Sequence, residues 1–221
     1  LLVHQHGYNL FHVFEDEWKE KQNIVKSMIQ HRLGLNKSIR GGARTCRVVE
    51  LSPNERKNFF SINHLDGDVG AIQAAGLVDK NDQLVAAASI RYPFHQKTYP
   101  NHIELARFAT TNFVCVPGAL SKLTQWAVKE TKKLERSGII TYADGRIGLG
   151  NAYSLSGWSF VRHTEPRFWW TDNHVRYNRF KVRAGNGETE REKAERLGLR
   201  RIYGCRNSVF ELPIIPTLAA P

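Results

Sequence analysis

The chain has 221 residues and a mass of 25.3 kDa, with 41% hydrophobic, 24% charged and 10% aromatic residues. That composition excludes a disordered or low-complexity chain and fits one large domain, or a domain with an appendage. With 32 Lys and Arg against 21 Asp and Glu the net charge is +11, which favours a polyanion such as nucleic acid as partner. No apolar run approaches the roughly 20 residues of a membrane helix. The N-terminal Leu1-Leu-Val-His-Gln-His lacks the apolar stretch of a signal peptide. The chain starts without methionine, as a processed product or a fragment would. Cys46, Cys115 and Cys205 lie too far apart for a disulfide scaffold or a Cys-x-x-Cys zinc site, which points to a reduced, cytoplasmic setting. The nine histidines show no metal-ligand spacing, and His4 and His6 suit an adventitious ion at most.

In chain order, residues 7–14 read as a short strand and residues 15–33 as a helix. Glu15, Asp16 and Glu17 complement the positive helix end, and Trp18, Val25, Met28, Ile29 and Leu33 form an apolar stripe. A strand and one helix bury no core of their own, so residues 1–35 are expected as an appendage that docks elsewhere. Residues 36–45, with Lys37, Arg40 and Arg44 around Gly41-Gly42, read as a flexible basic linker. A domain is expected over residues 46–212. It begins with a strand at 46–51 and a helix to Asn63, capped by Ser52-Pro53 with Glu55 at the capping-box position. Strands at 71–78 and 83–92 flank the turn Asp79-Lys80-Asn81-Asp82. Then come a strand at 102–110, a helix at 119–136 striped by Leu120, Leu123, Ala127 and Leu134, and a strand at 139–143. A short helix at 151–156, strands at 158–162 and 168–171, a helix at 188–197 and strands at 200–203 and 208–212 follow. Residues 213–221 read as an extended tail.

One constellation stands above the rest. The strand at 102–110 leads through Cys115-Val116-Pro117-Gly118-Ala119 into the long helix. The helix's first N–H groups, at Val116, Gly118, Ala119, Leu120 and Ser121, suit a phosphate, sulfate or pyrophosphate. Gly118 permits close approach. Tyr153, four residues before Gly157, fits a proton donor beside the same cleft. The same residues also fit plainer roles, Gly118 tightening a turn and Tyr153 packing in a core. Further on, Trp169, Trp170, Tyr177 and Phe180 alternate with Arg167, Arg176, Arg179, Lys181 and Arg183. That interleaving suits phosphate contact plus base stacking, and equally the basic outer face of a sheet.

In this order the pieces over residues 46–172 resemble the GNAT N-acetyltransferase superfamily. The resemblance implies an α+β fold with a mixed, mostly antiparallel sheet flanked by helices. It also implies acetyl-CoA or another acyl donor held at Val116, Gly118, Ala119, Leu120 and Ser121, with Tyr153 protonating the leaving thiolate. Asn63-His64-Leu65, Tyr142-Ala143-Asp144-Gly145-Arg146 and Asn151-Ala-Tyr153 further resemble a phage group related to the Mom DNA-modification proteins, which acylate adenine in DNA. That resemblance implies a catalytic set of His64, Glu104, Tyr142, Asp144 and Tyr153. His64 or Asp144 would deprotonate or orient the amine, and Arg107 would stabilise developing negative charge. His64 also fits a capping histidine, and Asp144 an ion pair with Arg146. Residues 7–18 resemble the last strand and helix of phage homing endonucleases of the very-short-patch-repair type, which leaves room for a separate nuclease chain as partner.

The candidate DNA contacts are Arg40, Arg44, Arg107, Arg146, Arg167, Trp169, Arg176 and Arg179. Three readings stay open at this stage. They are a transferase acting on an amine-bearing DNA base, a non-catalytic DNA-recognition module, and an acyl-CoA-dependent acyltransferase for a small amine or protein.

Overall fold

The computed structural model describes residues 6, 8, 10–183, 185 and 187–214. A seven-stranded sheet runs through it in the order β2-β3-β4-β5-β7-β12-β8. Its strands are β2 (Arg47–Glu50), β3 (Gln73–Val78), β4 (Leu84–Arg91), β5 (His102–Thr110), β7 (Gly138–Ala143), β8 (Ser159–His163) and β12 (Ser208–Pro213). Every neighbouring pair is antiparallel except β5–β7, which is parallel. The expected α+β class with a mostly antiparallel sheet is therefore what the chain adopts. Among the described residues no helix is long and apolar enough to cross a membrane.

Local chemistry accounts for the elements beside the site. Helix α3 (Pro53–Asn63) starts at Ser52, whose Oγ accepts from the Glu55 N–H while the Glu55 carboxylate accepts from the Ser52 N–H at 2.8 Å. It lays Phe59 and Phe60 on Ala74, Ala87 and Ala109, on one face of the sheet. The hairpin β3–β4 turns where Asp79 Oδ1 accepts from the N–H groups of Asn81 and Gln83. Helix α4 (Ala119–Lys133) presses Leu120, Leu123 and Ala127 onto the other face, against Leu77, Ala86, Ile103 and Ile139. Alanine is frequent along β3 and β4, so both helices approach the sheet closely.

The N-terminal segment departs from expectation. Residues 10–14 form no strand; the His12 N–H donates to the Arg146 carbonyl at 2.9 Å and the Phe14 carbonyl accepts from the Trp18 N–H. Gly7 and Asn9 lie outside the described residues, as do His4 and residues 215–221 of the tail. The helix at 15–33 is two helices, α1 (Glu15–Glu20) and α2 (Gln22–Arg32), broken at Lys21, whose ammonium donates to the Leu65 carbonyl. Ile24 and Val25 pack on Leu65, and Ser27 Oγ accepts from the Phe113 N–H at 2.7 Å. Residues 36–45 are ordered rather than a free linker. β1 (Lys37–Ser38) pairs with β6 (Val114–Cys115), and the Ala43 N–H donates to the Pro117 carbonyl at 2.8 Å. Lys122 Nζ seals the turn by donating to the carbonyls of Ala43 and Cys46.

The chain also holds a second small sheet. Between β8 and β12 the chain builds β9 (Phe168–Thr171), β10 (Arg176–Tyr177) and β11 (Arg200–Tyr203), in the order β10-β9-β11, with helix α6 (Glu190–Arg196) beside them. Trp170, Val182 and Ala194 make its core, with Phe168, Tyr177 and Leu199 around them.

Candidate active site

The parallel pair β5–β7 is joined only at its start. His102, Ile103 and Glu104 face Gly138, Ile139 and Ile140, after which the two strands part. β5 stays with β4 out to Thr110, and β7 stays with β12. At the fork Thr141 Oγ1 donates to the Leu105 carbonyl at 3.0 Å, bridging strands whose backbones no longer bond. A bulge at Ala106 then turns Arg107 towards the α3 side. The result is a cleft of about 1900 Å³, bounded by β5, β7, the turn before α4, helix α5 (Asn151–Leu155) and the inserted sheet.

On the α4 side lies the helix N-terminus that the sequence offered as an anion site. Gly118 is left-handed (φ 78°) and caps α4 without a side-chain bond, and the first turn carries no acid. The Ala119 N–H is taken by the Val116 carbonyl at 3.0 Å, so the N–H groups of Leu120 and Ser121 are the ones left to point outward. Val116, Ala119 and Leu120 bury their side chains in the core and offer only backbone. Ser121 Oγ lies 3.1 Å from Ser156 Oγ, across the cleft mouth.

Tyr153 sits at the fork. Its ring stacks on Phe210 (5.4 Å, 27°) and meets the Trp158 ring at 5.6 Å and 76°. Its Oη is 3.5 Å from Thr141 Oγ1. In this loose contact the Thr141 hydroxyl is the donor, shared with its closer bond to the Leu105 carbonyl, so the Tyr153 proton itself is uncommitted. Burial pushes the Tyr153 phenol above its ordinary value, and it holds its proton at neutral pH.

On the α3 side lie the other members of the expected catalytic set. Glu104 is buried, with Oε1 at 2.6 Å from Arg91 Nη2 and Oε2 accepting from the Phe94 N–H at 3.1 Å. Asp144 is tied to Arg146 through Nε and Nη2 (2.7–3.2 Å) and accepts the Arg146 N–H, so its carboxylate is an ion-pair member and not a free base. His64 ends α3, and its Nδ1 accepts from the Asp66 N–H at 3.1 Å, which leaves the ring proton on Nε2. Desolvation, then the Arg107 guanidinium, push His64 down to about 4. It is a neutral donor facing the cleft, and the base expected here is absent from its geometry.

A pH dependence follows. The unfolded chain binds the His64 proton at 6.5 and the folded chain only at about 4. The unfolded state therefore carries more protons between these values, and the stability contributed by His64 is lost as pH falls from 6.5 towards 4. Urea unfolding across that window should show a shallower loss in His64→Gln, and an unchanged slope would refute the burial.

The charge pattern of the cleft is one-sided. Each lining carboxylate has an arginine within 4 Å: Glu104 has Arg91, Asp144 has Arg146, Asp66 has Arg167, Glu165 has Arg206 and Glu190 has Arg179. Arg32, Arg107, Arg162 and Arg183 also line it and have no carboxylate partner among the described residues. The uncompensated charge is positive throughout. Arg107 is held by Nε on the Gly67 carbonyl and Nη1 on the Ala106 carbonyl.

Two of the expected DNA contacts are corrected. Arg146 is 2% exposed, its Nη1 bound to both Glu17 oxygens, so it cannot reach a phosphate. Arg176 grips Asp16 and Glu17 at 2.8 and 2.9 Å with 13% of its side chain exposed, also as a structural cation. Trp169 is half-buried between these two guanidinium groups and Phe14. Arg40, Arg44, Arg167 and Arg179 are exposed, the last pair on the cleft rim and the first pair on the ordered turn beside β1. Residues not singled out from sequence are Arg91, Asp66 and Thr141. A strand-end arginine, a turn aspartate and a strand threonine carry no local mark of a site.

No family model and no curated protein matches the sequence. Solved structures similar to the chain include a Bacillus subtilis acetyltransferase in complex with CoA, at 12% identity and TM-score 0.47 over 77% of this chain and 99% of that one. They also include the spermidine/spermine N-acetyltransferase of Vibrio cholerae (9%, 0.46, 77% and 94%) and the ribosomal-protein-S18-alanine N-acetyltransferase of Escherichia coli (10%, 0.45, 79% and 99%).

Proposed function

We propose that the protein is a GNAT-like acyltransferase that moves an acyl group from acetyl-CoA or a related acyl-CoA to an amine carried by DNA. The observation that carries the transferase half is the forked β5–β7 pair, with an uncapped α4 N-terminus at its mouth and a protonated tyrosine at its root. The residues fit such a donor. Outward N–H groups at Leu120 and Ser121 suit a pyrophosphate, and the free edge of β5 beyond Leu105 suits pairing with an extended amide-bearing arm. An acyl-CoA supplies an activated carbonyl and a thiolate leaving group. Tyr153 Oη stands ready with the proton that the thiolate needs, and the Arg107 guanidinium favours negative charge as it develops nearby.

The positive excess of the cleft supports an anionic acceptor. The carboxylates on the acceptor side are tied to arginine and His64 is a donor, so none of these residues is a free base to strip an alkylammonium, although His31 and His95 also line the cleft. An exocyclic amine of a nucleobase arrives uncharged and needs no such base before it attacks. The new C–N bond forms as the C–S bond breaks, and the amine's surplus proton leaves to water.

Expression of the protein in cells, followed by mass analysis of nucleosides from plasmid DNA, should reveal an acylated nucleoside whose mass shift names the group. Unmodified DNA together with acylated polyamine would move the reading to a small-amine acyltransferase. Arg167→Ala and Arg179→Ala, at 52% and 55% side-chain exposure, should each lower the log–log salt slope of DNA binding by about 0.7–0.9, one phosphate contact. An unchanged slope would remove the inserted sheet from the DNA path.

A further inference from the structure

The inserted sheet forms one wall of the cleft, where Arg167, Arg179, Phe180 and Arg183 line it. Most aromatic rings of this unit are already occupied. Trp170 lies in its core, Phe168 and Tyr177 pack around it, and Trp169 is held between arginines and Phe14. Phe180 stands apart from them. It is 55% exposed, in the single 3-10 turn Arg179–Val182, which Asn178 caps by accepting from the Phe180 N–H at 3.1 Å. Such a turn repeats every three residues, so residues three apart share a side. Val182 enters the core and Arg179 lies over the Phe168 ring at 4.5 Å, which leaves Phe180 and Lys181 on the outer side.

The outward ring has a cation beside it. The Arg183 guanidinium lies 4.4 Å from the Phe180 ring centroid, and Lys193 Nζ fixes the end of the turn by donating to the Arg183 carbonyl at 3.1 Å. A lone exposed phenylalanine is ordinary on a protein surface. Here it stands with Lys181 and Arg183, neither of which has a carboxylate within 4 Å among the described residues, in the wall of a cleft whose excess charge is positive. A flat apolar face beside unpaired cations complements a base and its flanking phosphates. Tyr142 Oη and Arg91 Nε, by contrast, are closed off by their neighbours and offer an acceptor nothing. The reacting amine must also enter the fork to reach Tyr153. A base within a duplex is stacked and paired, and it enters only after both are broken, whereas an unpaired base enters without that cost.

We propose that the acceptor is single-stranded DNA, drawn along the inserted sheet with one base stacked on Phe180 and the flanking phosphates on Lys181 and Arg183. The inference rests on the reading above that the acceptor amine is carried by DNA, and narrows it to an unpaired strand. Stacking accepts every base, so this contact sets strand type and position rather than sequence.

Anisotropy would compare a labelled single-stranded dodecamer of mixed sequence, the same strand in duplex, and an abasic dodecamer of equal charge. Coenzyme A binding and thermal unfolding would be followed alongside. Wild type should prefer the base-bearing single strand to both of the others. Phe180→Ala should bind that strand about tenfold more weakly, the worth of one stacked base, and approach the abasic level. Its salt slope should not change, since no phosphate contact is lost, whereas Arg183→Ala should lower the slope by about 0.7. Phe180→Leu keeps apolar bulk without the aromatic face, so it should fall with the alanine variant. Coenzyme A affinity should stay within about twofold in each, and the melting temperature should barely move, because the ring is on the outer side. Wild-type binding of the single strand by either Phe180 variant, or a wild type that holds the duplex as tightly as the single strand, would overturn the proposal and leave the DNA reading intact. A wild type that binds none of the three would overturn both, and coenzyme A binding would then show whether the acyltransferase half survives.

Discussion

Arg146→Ala should destabilise the protein by about 3–5 kcal/mol, the cost of stripping the partner from a buried charge. The guanidinium bonds both oxygens of Glu17 at 2.8 and 3.0 Å and holds Asp144 through Nε and Nη2. It also lies over the rings of Phe14 (5.1 Å) and Trp169 (5.7 Å). Burial alone would lower the Arg146 pKa, but Asp144 and Glu17 outweigh it and the group stays charged. Removal leaves Glu17, 5% exposed, with Arg176 as its one remaining cation. Because the cluster joins α1, the turn after β7 and strand β10, its loss should also open the cleft wall. Arg146→Met with Glu17→Met should recover only part of the stability, since an apolar pair replaces the ion pair but Asp144 and Arg176 each lose a partner. Urea unfolding of the two singles and the double closes the cycle. A single-variant loss below about 1 kcal/mol would mean that the cluster is far wetter than its geometry indicates.

The same cluster shows what the sequence could and could not disclose. Signals that act within a few residues were legible: the Ser52–Glu55 box, the Asp79 turn, the stripe of α4 and the glycine turn at Gly118. Each has its cause and its effect inside one helical turn or one hairpin. Glu17 and Arg146 are 129 residues apart, and nothing local separates a buried arginine from a surface one. Thus the acidic start of α1 reads as a helix-dipole device, and Arg146 and Arg176 read as DNA contacts, when each meets the other in the interior. The two-residue strands β1 and β6 carry no periodicity, so residues 36–45 read as linker. The fork between β5 and β7 was equally hidden. Both strands look ordinary in sequence, and the fork arises because β5 follows β4 through the Ala106 bulge while β7 follows β12. The glycine turn and Tyr153 were legible as residue types beside one cleft, but the fork that sets them apart was not.

Tyr153→Phe should cut the acyl-transfer rate by about 10²–10⁴, the usual worth of a positioned acid, while the fold and donor binding persist. The ring does the packing, against Phe210 and Trp158, and phenylalanine retains it. The hydroxyl has one loose contact, to Thr141 at 3.5 Å, so its loss strands no tightly held partner. Coenzyme A affinity should therefore stay within about twofold, and the melting temperature should barely move. The sign of the pH effect follows from the raised phenol pKa. An acid catalyst works in its protonated form, so the Tyr153 contribution is complete at neutral pH and is lost only as pH rises past tyrosine's ordinary 10. Any alkaline limb at lower pH belongs to another group. A donor whose thiol leaves without protonation, such as an aryl thioester, should restore the variant towards wild type, because the missing proton is no longer required. Equal rates with the alkyl thioester would show that water supplies the proton and would return Tyr153 to the core. Rescue by the aryl thioester alone would fix the acid at the Tyr153 oxygen.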